Sequence, residues 1–129
     1  MGILVPADFE QIAYDLLRAR FPNVGPVPRG GGDGDMLTPF IAYEITGGSR
    51  RNMVTDSAVV MIRCYSPSRG EASRVCREAY AVLMAEPYAN DSAVRSAKSV
   101  GHPVCYPDPD TKKYRYQASV QWQLRPEIL

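Results

Sequence analysis

Two carboxylates and two lysines crowd the run Pro107-Asp108-Pro109-Asp110-Thr111-Lys112-Lys113. A metal-dependent nuclease uses such groups, acids to hold a divalent cation and a lysine to steady a phosphate. Those acids need rigid core strands beneath them, whereas two prolines so close together mark a turn. The run therefore reads as an exposed hairpin turn with solvated charges. An enzyme would require Asp108, Asp110 and Lys112 to converge on one ion.

Asp33 and Asp35 have a D-x-D spacing that suits a hard cation, but the rest of a twelve-residue calcium loop, including its bidentate glutamate, is missing. The surrounding run, Gly30-Gly31-Gly32-Asp33-Gly34-Asp35, does not fit G-x-x-x-x-G-K-[ST], and no helix with the right start follows it, so a phosphate cradle lacks its context. Residues 29–38 are expected to form a loop that orders against a partner.

His102 is the only histidine, which excludes sites built on two imidazoles. Standing before Pro103 with no carboxylate or cysteine partner in sequence, it reads as a structural or surface residue. Cys64, Cys76 and Cys105 are odd in number and show no C-x-x-C or Cys/His ligand spacing. They are expected as reduced, buried small hydrophobes. No catalytic residue, metal ligand or cofactor site is expected, and the chain does not read as an enzyme.

Arg50 and Arg51 remain as the candidate partner- or DNA-facing pair. They fall in the segment Gly47 to Thr55, expected to be the short loop between two strands, and arginine's planar fork suits phosphate or an acidic protein surface.

At 129 residues, with 45% apolar and 22% charged content, the chain fits one domain spanning 1–129. The net charge is +1, from 15 Lys and Arg against 14 Asp and Glu. A basic excess able to hold nucleic acid by counterion release is absent, so any DNA contact must be local. No apolar stretch reaches the roughly 18–20 residues that span a bilayer, and the opening residues lack a basic leader, so a protein made and kept in the cytoplasm, with no membrane partner, is expected.

The spacing of Phe9, Ile12, Ala13, Leu16 and Leu17 predicts an amphipathic helix from Pro6 to about Arg20, with proline in the first turn and Asp8 and Glu10 at the positive end of its dipole. Val24 to Pro39 reads as loop with at most a short strand. Phe40 to Thr46 predicts a strand stopped by Gly47-Gly48, and Asp56 to Tyr65, with few polar residues on either face, a central, largely buried strand. Ser68-Arg69-Gly70-Glu71 matches the S-x-x-E capping box at the head of a helix that ends before Pro87. Strands follow near Ser99 to Tyr106 and from Tyr114 to Leu124. In the last, Tyr114, Tyr116, Ala118, Val120, Trp122 and Leu124 alternate with polar residues, so one side packs on the core and the other meets water or a partner. The tail Pro126-Glu127-Ile128-Leu129 is either docked on a neighbour or frayed. The fold class is α+β: a mostly antiparallel sheet of four to five strands with two amphipathic helices on one face.

Over nearly its whole length this order resembles the tail terminator proteins of long, flexible-tailed bacteriophages. The phrases that carry the resemblance are Thr46-Gly47-Gly48, Cys64-Tyr65-Ser66-Pro67 before Glu71-Ala72, Pro107-Asp108-Pro109-Asp110-Thr111, Tyr114-Arg115-Tyr116-Gln117, and Gln123-Leu124-Arg125. The resemblance implies a hexameric ring of this chain that caps the head-proximal end of the tail tube and stops its polymerisation. Its partners would be copies of itself, the tail tube protein and a head completion or stopper protein, with DNA passing through unread. No catalytic residues carry over. The alternatives are another head-tail connector or stopper component, or a small nucleic-acid-binding module using Arg50, Arg51, Lys112 and Lys113.

Overall fold

The computed structural model describes residues 2–26, 37–52, 55–107, 109 and 113–128, with backbone alone for 49–52. Among these residues the order is β1 (Leu4–Val5), α1 (Phe9–Arg18), β2 (Val24–Gly25), β3 (Phe40–Asn52), β4 (Thr55–Ser66), α2 (Arg69–Ala85), a 3-10 turn (Glu86–Tyr88), β5 (Val94–Cys105), β6 (Tyr114–Leu124) and β7 (Glu127–Ile128). The main sheet runs β2-β3-β4-β6-β5. Only the β2–β3 pair is parallel; the others are antiparallel.

Helix α1 begins later than the proline suggests. Pro6 precedes the helix, and Asp8 caps it by accepting the Gln11 N–H at 3.0 Å, which satisfies one of the four donors a helix start leaves open. Ala13 and Leu17 then bury fully against the sheet. Helix α2 is capped by Ser68, whose hydroxyl accepts the Glu71 N–H. The reciprocal half of the box is relayed: Ser66 Oγ accepts the Ser68 N–H at 3.1 Å and donates to Glu71 Oε1 at 2.7 Å.

Both helices lie on one face of the sheet and share a single apolar core with it. Ile41, Val60, Ile62, Val120, Trp122 and Leu124 point into that core from β3, β4 and β6 and are almost wholly buried. Burial of each such side chain contributes about 1.5–3 kcal/mol. The alternation read along β6 is confirmed from Ala118 to Leu124; Tyr114 is exposed and Tyr116 half-buried.

Several expectations are corrected. Gly47 and Gly48 do not stop β3. With φ of +64° and +138° they form a bulge, after which pairing with β4 resumes at Ser49↔Ser57; glycine supplies the backbone angles such a bulge needs. Strand β5 starts at Val94, five residues before the expected Ser99. Strand β4 occupies the middle of the sheet and is largely buried, as expected, though less so on its helix-free face, where Val59, Met61 and Arg63 are half-exposed and Tyr65 is buried. The C-terminal tail is tied down, with Leu4↔Ile128 and Val5↔Glu127 paired. Cys64 and Cys76 are buried as expected, while Cys105 is half-exposed; all three are free thiols. Among the described residues no helix is long and apolar enough to cross a membrane.

Candidate assembly surfaces

The helices cover one side of the sheet, and the opposite side is built from the alternate residues of its strands. Cross-strand register places Thr46, Val59 and Gln121 in one row, Glu44, Met61 and Ser119 in the next, and Ala42, Arg63 and Gln117 in a third. Edge strand β5 adds Ser96 beside Gln123 and Lys98 beside Gln121. The face is rich in amides and hydroxyls and holds few charges. Ser96 Oγ donates to Gln123 Oε1 at 3.1 Å, and Arg63 reaches Glu44 at 3.0 Å. At one end the row Phe40↔Tyr65 is buried together with Ala42.

Near that end an aromatic and cationic group gathers where β5 finishes and β6 begins. The Arg115 guanidinium lies over the Tyr106 ring, 4.9 Å from its centre, and donates to the Tyr106 carbonyl at 2.9 Å. Arg69, in the first turn of α2, donates to Tyr116 Oη at 3.2 Å. That hydrogen bond is the leading reason its guanidinium holds its proton more tightly than usual.

The opposite end holds the paired termini. Ile128 lies close over Gly2, where an added Cβ would meet its Cγ2 unless that side chain moved. Ile3 and Ile128 nevertheless remain 66% and 75% exposed. An open cleft of about 420 Å³ lies beside the ribbon, lined by Leu4, Pro6 and Phe9 on one side and Gly48, Asp56 and Ala58 on the other. Asp56 is buried at its wall.

Arg50 and Arg51 belong to this same end. They stand within β3, not in a loop, and Arg50 takes the register position across from Asp56; their side chains are outside the described residues. The structure thus brings the arginine pair beside the cleft and away from Lys113, which precedes β6 at the other end of the sheet. Asp33, Asp35, Asp108, Asp110 and Lys112, and all but the last residues of the 29–38 loop, are outside the described residues. His102 is exposed, with its ring 5.4 Å from that of Tyr80. Among the described residues no three His, Cys, Asp or Glu side chains gather as metal ligands do.

Sequence reasoning found the polar face of β6 but missed the surfaces made by β5 and by the paired termini. Compared with protein-family models and with curated proteins, the chain matches none.

Proposed function

We propose that the chain is a structural tail terminator: six copies close into a ring on the head-proximal end of a phage tail tube, stop its growth and join the tail to head completion proteins. Its place would be the virion neck. The observation that supports this reading best is the helix-free face of the main sheet, with its long edge strand β5. Amides and hydroxyls bond to a neighbour without the desolvation cost of buried charges, and half-exposed Val59 and Met61 offer apolar area between them.

The charge balance supports the same reading. A net charge of +1 lets copies pack without strong mutual repulsion and gives DNA no broad basic surface to grip as it passes. Arg50 and Arg51, at the termini end, are the partner- or DNA-facing pair.

The test is tube length. Cognate tail tube protein polymerised with this chain present should give short tubes bearing the protein at one end in electron micrographs. Tubes that grow unchecked while the chain binds a head completion protein would place it elsewhere in the neck.

A further inference from the structure

We propose that copies of this chain join edge to edge, the β5 strand of one pairing antiparallel with the β3 strand of the next, in a register that sets Lys98 opposite Glu44. This rests on the ring reading and names the contact that would build it.

Two stretches of backbone carry the inference. Strand β5 is the last of the main sheet, so one side of it meets no strand among the described residues. An edge strand's row of unpaired N–H and C=O groups is a ready template for another extended strand. The far half of β5 is blunted: its register shifts between Ser99 and Gly101 and again between Gly101 and Val104, and Pro103 removes a donor. Another shift lies between Val94 and Ser96. The regular part is therefore Ser96–Ser99.

On the other edge, β2 pairs with β3 only at Ile41 and Ala42. Beyond it, Glu44–Thr46 runs up to the Gly47-Gly48 bulge with no second strand beside it among the described residues. The two regular stretches, four residues on β5 and three on β3, can overlap over three pairs.

They also match in direction and in facing. Three successive antiparallel pairings separate β3 from β5, so β5 of one copy laid beside β3 of another continues the antiparallel sheet. One register pairs the whole β3 stretch: Lys98 opposite Glu44, Ala97 opposite Ile45, Ser96 opposite Thr46. Glu44, Thr46, Ser96 and Lys98 all belong to the helix-free face, while Ile45 and Ala97 pack against the core on the other. Every pair therefore keeps its face, as a two-residue period demands. Glu44 would then stand between Arg63 of its own chain, 3.0 Å away, and the incoming ammonium. The contact joins two different edges, so it is heterologous and propagates until it closes.

Charge exchange tests it. Glu44→Lys and Lys98→Glu should each lower ring formation on tube ends at least tenfold, and the double exchange should restore it to within about threefold, with far-UV circular dichroism unchanged throughout. Crosslinking checks the register independently, since facing residues in such a pair have Cβ atoms about 4.5–5.5 Å apart, near disulfide reach. In a Cys105→Ser background, Thr46→Cys combined with Ser96→Cys should give a ladder of covalent oligomers on oxidation, and either change alone none. A covalent dimer from Ser96→Cys alone would overturn the proposal in favour of a two-fold β5–β5 contact. Rings of full mass that yield no ladder and ignore the charge exchanges would overturn it while sparing the ring reading. If no ring forms under any condition, that reading fails and takes this one with it.

Discussion

The indole Nε1–H of Trp122 donates to the backbone carbonyl of Leu83 at 2.9 Å, in the buried core. In an unbroken helix that carbonyl would accept from the residue four places on. Here that residue is Pro87, which has no N–H. The tryptophan of β6 thus supplies the donor that the proline withholds and ties the end of α2 to the sheet.

Trp122→Phe should therefore cost more than its lost area. The ring is largely kept, but the Leu83 carbonyl is left without its indole donor, a penalty of about 1–3 kcal/mol beyond the packing change. A urea unfolding series checks this. The denaturation midpoint should fall with an unchanged slope; an unaltered midpoint would show that water or a local shift satisfies the carbonyl.

The relay at the head of α2 makes a second prediction. Ser68→Ala removes the cap and should cost about 1 kcal/mol. Ser66→Ala leaves both the Ser68 N–H and the Glu71 carboxylate without this partner, and should cost at least as much. Because the two hydroxyls serve one network, the double variant should lose less than the sum of the singles, as measured by a double-mutant cycle.

Reversing the charge of Arg51 should weaken attachment to the neighbouring neck component; reversing Arg50 as well sets two acids opposite each other, since Arg50 stands across from buried Asp56, and should also lower the monomer's thermal midpoint. Co-sedimentation of capped tubes with the head completion protein measures it. Normal attachment by both variants would remove these residues from the interface.

The thiols make a fourth. Burial, and then the nearby Cys76 through its hydrogen bond and charge, push the Cys64 thiol well above its ordinary value. In the unfolded chain it ionises near pH 8.5, while in the folded chain it keeps its proton. The unfolded state then binds fewer protons, so stability falls as pH rises above that value. Unfolding midpoints between pH 7 and 10 should show the decline, and Cys64→Ala should flatten it. A thiol reagent at neutral pH should label half-exposed Cys105 first, with Cys64 and Cys76 reacting only on unfolding.

Much of the fold was legible because its strongest elements carry local patterns. Strand β6 alternates without a break, and the Ser68–Glu71 spacing announces α2. The failures have physical reasons too. Gly47-Gly48 reads as a stop because glycine usually punctuates strands, yet the same freedom serves a bulge inside one. Val94 to Lys98 has the weak, polar pattern of an edge strand, so its start was invisible. Strands β1, β2 and β7 are two residues long; their pairing with distant partners leaves no periodicity to read. Arg50 and Arg51 could be singled out by residue type, but their place beside the termini depends on those same long-range pairings.

The most direct test of the ring is mass. Light scattering on the purified chain, alone and with polymerised tail tube protein, should give six copies in solution or a six-copy ring formed on tube ends. A chain that stays monomeric and ignores the tube would contradict the terminator account.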